Sequence, residues 1–134
     1  MSIPYDTRFS PPAPILYIRL ASPGDVPQGE SLAGITDTGS DGTLVPIRLL
    51  EAVEAIDVGE ATLYGVLGET RNVHLYEVDI HIGDLTLPNV IVVGDEHGDE
   101  IVIGRNILNG LILLLDGQRR LTDLLERRPN LRRP

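Results

Sequence analysis

"GITDTGSDGTLVP", residues 34 to 46, runs from apolar residues into Asp37, Thr38, Gly39, Ser40 and Asp41, then back into an apolar stretch. A surface turn accounts for such a run, since Asp and Gly are both turn residues. So does a functional carboxylate on a loop set into the core. The flanks favour the second reading. Gly34-Ile35 precede the polar run and Leu44-Val45-Pro46-Ile47 follow almost at once, whereas a surface turn is usually followed by polar sequence. A carboxylate in that setting needs hydrogen-bond donors to remain ionised. Gly39 permits a tight backbone and leaves its N–H open toward the acid, and Thr38 and Ser40 bring hydroxyls. The tripeptide Asp-Thr-Gly arises by chance in roughly 2–3% of chains of this length, so it decides nothing alone.

Composition narrows the function classes. A chain of 134 residues fits one domain and is long enough to bury a core without staples. It has no cysteine, which removes disulfides, thiolate zinc sites and a cysteine nucleophile. No apolar run reaches the roughly 18 residues of a membrane-spanning helix, and "MSIPYDTRFSPPAP" lacks the basic-then-apolar order of a secretory signal. These features set the expectation of a cytoplasmic protein without membrane partners. The net charge of −9 is uneven: residues 119–134 carry +4 and residues 1–118 carry −13. An acidic body argues against nucleic-acid binding, which needs clustered cations. Every cation is Arg and none is Lys, for which we have no physical account.

Strand signals dominate. "PILYIRLA" (14–21), "TLYGVLG" (62–68), "VHLYEVDIHIG" (73–83), "LPNVIVVGD" (87–95), "EIVIG" (100–104) and "LILLLDG" (111–117) are short, rich in Val, Ile and Leu, and bounded by Gly, Pro, Asn or Asp. Their regular spacing predicts an all-β sandwich or small barrel. Helix signals are few: "PIRLLEAVEAI" (46–56), with Pro46 at the first helical position; the short "RNILNG" (105–110), closed by Gly; and "RRLTDLLERR" (119–128). Residues 1–13 read as a loose N-terminal arm, and residues 118–134 as an Arg-rich C-terminal extension whose last residues also look loose.

A second motif changes the weight of the first. In "IVIGRN" (101–106), three β-branched residues run into Gly, and Arg-Asn opens a short helix. Asp37-Thr38-Gly39-Ser40 followed by Ile103-Gly104-Arg105-Asn106-Ile107-Leu108 resembles the retropepsin-like aspartic proteases, the single-domain relatives of pepsin. Two independent motifs in the family's order and at about its separation are far more specific than either alone. The similarity covers about residues 14–117, and the chain is expected to be a bacterial member. The long "SPGDVPQGES" hairpin (22–31) and the Arg-rich extension depart from the viral enzymes, which end at a dimer-interface strand matched here by "GLILLLDG".

The resemblance implies a small closed barrel-like acid-protease fold with one or two short helices. It implies an aspartic endopeptidase with Asp37 as the catalytic acid and Thr38 bridging the two active-site loops. Gly39 would supply backbone contact to substrate, and Ser40 would hydrogen-bond the outer carboxylate oxygen. Asp41 resembles the acid that receives substrate N–H groups and pairs with an arginine, here Arg105. It further implies a flap near 62–82, with Tyr64, Gly65, Val66, Leu67 and Gly68 meeting the substrate. The chemistry needs two carboxylates and the chain has one Asp-Thr-Gly, so the active form would be a homodimer cleaving a peptide or protein substrate, with no metal and no cofactor. The competing reading is a retropepsin-like dimer without proteolysis that serves as a binding or assembly module. Other polar candidates are weaker. His74, His81 and His97 show no metal-ligand spacing, "DEHGDE" (95–100) reads as a solvated acidic turn, and no serine sits on a nucleophile elbow.

Overall fold

The computed structural model describes residues 1–130. Ten strands form among these residues: β1 (Ser2–Pro4), β2 (Ile15–Ala21), β3 (Leu32–Thr36), β4 (Leu44–Pro46), β5 (Ile56–Tyr64), β6 (Thr70–Ile82), β7 (Leu85–Asp95), β8 (Ile101–Ile103), β9 (Ile112–Asp116) and β10 (Leu121–Leu125). Two short helices, α1 (Ile47–Ala52) and α2 (Arg105–Leu108), complete the set.

Seven strands form one sheet in the order β2-β3-β8-β4-β7-β6-β5. A further pairing of β2 with β6, through Arg19↔His81, Leu20↔Ile80 and Ala21↔Asp79, closes the ring. The result is a six-stranded barrel of β2, β3, β8, β4, β7 and β6, with β5 outside on β6. The expected closed all-β barrel is present, and the sandwich alternative is ruled out. Inward-facing Leu16, Ile18, Val45, Val78, Ile80, Val92 and Ile103 fill the barrel with Leu50 of α1 and Ile107 of α2. Burial of each such side chain contributes about 1.5–3 kcal/mol.

Three local expectations are corrected. The helix read over 46–56 ends at Ala52, and Pro46 is the last residue of β4 rather than the first of the helix. Glu54 takes a positive φ of 55°, which turns the chain out of the helix, and Ile56 opens β5. The stretch 119–128 holds strand β10 and no helix, because Leu121–Leu125 find β9 as an antiparallel partner, and that pairing outweighs the helical spacing of three leucines. The N-terminal arm is tied down: β1 pairs with β10, Ile3 is buried, and Asp6 and Ala13 bond to each other through their backbones. Strands β1, β10 and β9 thus make a second, three-stranded sheet in the order β1-β10-β9. Residues 131–134 of the expected extension lie outside the described residues.

Candidate active site

Strands β3 and β8 run parallel, with Thr36 beside Ile103. Both therefore deliver their C-terminal ends to one place, and the two motifs of the sequence meet there. The Asp37 N–H donates to Ile103 O at 2.9 Å, which fixes where the loop leaves β3. Two glycines make this junction possible. A Cβ at Gly34 would stand 2.7 Å from the Ile103 side chain, and one at Gly104 would stand 2.0 Å from Gly42 O.

The loop itself is a tight turn. Ser40 N–H donates to Asp37 O at 3.2 Å, and Gly39 N–H donates to Asp37 Oδ1 at 2.8 Å. The second bond orients the carboxylate through one oxygen and leaves the other free. A Cβ at Gly39 would crowd the bonded oxygen, Oδ1, at 3.1 Å. Burial corrects one expectation: Asp37, Thr38 and Gly39 are exposed on the single chain, and the buried residues are in the flanks, at Gly34, Thr43, Val45 and Pro46. A second expectation fails as well. The Ser40 hydroxyl donates to Gly42 O at 2.7 Å rather than to Asp37, because the turn brings that carbonyl within its reach. The Thr38 hydroxyl makes no hydrogen bond among the described residues.

Arg105 holds the loop from beneath. Its Nη1 donates to Thr38 O at 2.7 Å, its Nη2 pairs with Asp41 Oδ1, and its backbone N–H donates to Ser40 O at 2.8 Å. Asn106 N–H adds a bond to Asp41 O at 3.2 Å. One short helix thus anchors the loop at Thr38, Ser40 and Asp41.

Sequence reasoning missed the buried polar link behind this loop. Thr43 is fully buried. Its hydroxyl donates to Asn106 Oδ1 at 2.7 Å and accepts the Gly104 N–H at 3.0 Å. Asn106 Nδ2 continues to Ile91 O at 3.0 Å, tying in β7. The available signal was a threonine inside an apolar exit, where valine would satisfy the strand pattern. Asp79 was also missed. It is 6% exposed and accepts N–H groups from Asn89 and Gly24, both at 2.9 Å. Those bonds hold its carboxyl below the ordinary Asp range, against the opposing effect of burial.

The hairpin of β5 and β6 ends in a turn at residues 65–69. Gly65 N–H bonds Glu69 O at 2.8 Å, Gly68 N–H bonds Gly65 O at 3.1 Å, and Gly68 has φ +85°. This is a turn closed by a left-handed glycine, which favours Gly. Tyr64, Val66 and Leu67 project from it almost fully exposed. No hydrogen bond joins the tip to the Asp37 loop among the described residues.

Elsewhere, His74 lies 3.3 Å from Asp57 and 3.5 Å from Glu60, beside Tyr76. Burial, and then the carboxylates of Asp57, Glu51 and Glu96, push the Tyr76 phenol up. Among the described residues no group of His, Asp and Glu could hold a metal ion, and no helix is long and apolar enough to cross a membrane. A cavity of about 690 Å³ is lined by Met1, Ile82, Leu85, Leu111 and Leu124 among others, and shares no residue with the Asp37 loop. Its lining brings in Asp84, Glu126 and the chain's first residue, Met1, and neither of the two sequence motifs.

No protein-family model matches the chain, and no curated protein matches it by sequence. Solved structures do. A retropepsin-like aspartic protease from Rickettsia conorii is similar with a TM-score of 0.58 and 13% identity, over 91% of this chain and 86% of that one. The protease of Simian Foamy Virus (mac) gives 0.51 and 16%, over 71% of this chain and 91% of that one. The EIAV protease in an inhibitor complex gives 0.51 and 17%, over 73% of this chain and 86% of that one. The fold of the chain is that of the retropepsin-like aspartic proteases.

Proposed function

We propose that the chain is an aspartic endopeptidase whose catalytic unit is a homodimer, each subunit contributing one Asp37 at the two-fold axis. One observation carries this reading. The only Asp-Thr-Gly of the chain forms an exposed loop whose carboxylate is already oriented by the Gly39 N–H, on the fold of known aspartic proteases. An exposed, half-satisfied carboxylate is half of a site.

Pairing completes it. Two carboxylates brought about 3 Å apart cannot both ionise, and they share one proton, as is general for aspartic-protease dyads. The ionised carboxylate takes a proton from a bound water, which attacks the peptide carbonyl. The protonated carboxylate donates to the carbonyl oxygen. No covalent enzyme intermediate and no metal is required. The dyad titrates as a unit, so neither apparent pKa belongs to one Asp37.

The surrounding residues take roles that follow from their contacts. The unpartnered Thr38 hydroxyl would reach the other subunit's loop. Arg105 and Asp41 hold the loop in register, and the outer face of Asp41 stays open to substrate N–H groups. The β5–β6 hairpin would serve as the flap, with Tyr64, Val66 and Leu67 laid over apolar substrate side chains and with Gly65 and Gly68 leaving its tip pliable. Such gates close on the microsecond-to-millisecond scale and exclude water. A chain without cysteine suits a reducing compartment such as the cytoplasm.

The test is incubation of the full chain with a mixed peptide pool in ¹⁸O-labelled water. The expected result is new carboxyl termini that carry solvent oxygen, and their loss in Asp37→Asn. An intact dimer that cleaves nothing would turn the reading toward a binding or assembly module.

A further inference from the structure

The β5–β6 hairpin breaks its register once, between Asp57 and Gly59. Asp57 lies opposite Tyr76, Gly59 opposite Leu75 and Glu60 opposite His74, so β5 uses one residue more than β6 over this stretch. The break is a β-bulge made by the local sequence. Asp57 Oδ1 accepts the Gly59 N–H at 3.0 Å, and Gly59 takes a φ of +121°, a conformation that favours glycine. The consequence is chemical. Side chains alternate along a regular strand, so residues 57 and 60 would point to opposite faces. The extra residue puts both carboxylates on the face of His74, with Asp57 3.3 Å from Nδ1 and Glu60 3.5 Å from Nε2.

Each ring nitrogen thus faces a carboxylate. A neutral imidazole has one N–H and a lone pair on its other nitrogen, so it can satisfy one of the two, whereas an imidazolium donates from both. The neighbours add to that preference. Glu51 of α1, Glu96 from the turn after β7, the Tyr76 phenol and Ile47 line one recess with His74 and Asp57. Among the described residues of that recess, His74 alone can carry a positive charge. Arg71 and His97 line a neighbouring recess with Asn72 and Glu96. β5 itself lies outside the barrel, and β6 is its one strand partner among the described residues.

We infer that His74 is a pH-dependent clamp: its imidazolium, held between Asp57 and Glu60, fastens β5 to β6 in mildly acidic solution, and the neutral ring lets the hairpin stem loosen. An imidazole ordinarily takes its proton as pH falls through about 6.5, and carboxyl groups ordinarily lose their charge near about pH 4. The clamp therefore holds best between about pH 4.5 and about pH 6. The side chains of His74, Asp57 and Glu60 are 41%, 52% and 70% exposed, so each contact contributes modestly. The clamp acts on local opening of the hairpin, and the barrel keeps its own stability. Its bearing on catalysis rests on the proposed reading of this hairpin as the flap; the clamp itself does not.

Amide hydrogen exchange tests it in the full chain. Protection of the hairpin amides from Ile56 to Glu77, corrected for the intrinsic pH dependence of exchange, is expected to be about five-fold higher at about pH 5.5 than at about pH 7.5. His74→Gln carries no charge at either pH and is expected to show the lower protection at both. His74→Lys keeps its charge throughout and is expected to show the higher protection at both. Equal wild-type protection at the two pH values overturns the clamp. So does a pH dependence that persists in His74→Gln, or a His74→Lys chain no better protected than His74→Gln. These readouts need no activity, so the two failures separate. A chain that cleaves nothing defeats the proposed function and leaves the clamp standing, whereas pH-independent exchange in an active enzyme defeats the clamp alone.

Discussion

The side chains of Thr43 and Asn106, 63 residues apart in sequence, meet at 2.7 Å with the threonine hydroxyl donating to the amide oxygen. The same hydroxyl accepts the N–H of Gly104 in a fully buried position. Thr43→Val keeps the shape and strands both partners. Unmade bonds of this kind cost about 1–3 kcal/mol, so the urea midpoint should fall by that equivalent while Thr43→Ser restores most of it. An unchanged midpoint in Thr43→Val would mean that the link is incidental to the loop.

Arg105 and Asp41 should behave unequally although they form one ion pair. The Asp41 side chain is 91% exposed, and exposed pairs contribute about 1 kcal/mol or less. Arg105 additionally donates to the Thr38 carbonyl, a charge-assisted bond worth about 1.5–3 kcal/mol. Arg105→Ala should therefore lower both the unfolding midpoint and peptide turnover, while Asp41→Asn should leave the midpoint near wild type. Equal losses in the two variants would show that the ion pair, and not the carbonyl contact, holds the loop.

Asp79 gives the acid side of the stability profile a specific cause. Its folded pKa lies below the ordinary 3.8 because the Asn89 and Gly24 N–H groups favour the charged form. A depressed carboxyl contributes stability that is fully present above the unfolded pKa and is lost as pH falls through the folded one. Asp79→Asn keeps only one acceptor, so at neutral pH it should be less stable by about 1–2 kcal/mol. The gap should close as the pH is lowered from about 5 to about 2. Denaturant midpoints measured across that range would show a constant gap if Asp79 is not the group responsible.

The hairpin tip separates turnover from stability. Valine at Gly68, where φ is +85°, costs about 1–2 kcal/mol in local strain. Val66 and Leu67 beside it bury nothing in the free chain, so the tip can relax locally without loosening the barrel. Gly68→Val should cut peptide turnover several-fold and move the urea midpoint by the equivalent of less than about 0.5 kcal/mol. Normal turnover would remove the hairpin from the catalytic cycle.

Four of the six barrel strands, β2, β6, β7 and β8, and the two motifs were legible because each rests on local pattern, whereas β3 and β4 are short and show only as apolar flanks of the Asp37 loop. β-Branched alternation marks strands, and Asp37-Thr38-Gly39 and Gly104-Arg105-Asn106 are compact signatures. What escaped depends on contacts between distant residues. The leucines of 121–125 have helical spacing, and only β9 makes them a strand. Residues 56–61 were hidden because β5 lies outside the barrel and is exposed along most of its length, so it has no apolar alternation to read. Asp79 looked like one more polar residue on β6. Its burial comes from the register break between Val78 and Ile80, where β7 brings Asn89 to it. The Ser40 hydroxyl could reach either Asp37 or Gly42, and the choice is made by the turn geometry, which the sequence does not carry.

The central claim is that one active site needs two Asp37 carboxylates. The direct measurement mixes wild-type chains with Asp37→Asn chains at fixed total concentration, under conditions where subunits exchange, and follows peptide turnover against the wild-type fraction. If only dimers with two intact carboxylates are active, turnover follows the square of that fraction and an equal mixture retains about one quarter of full activity. Turnover proportional to the wild-type fraction, with about half retained at equality, would show that a single Asp37 suffices and would contradict the account.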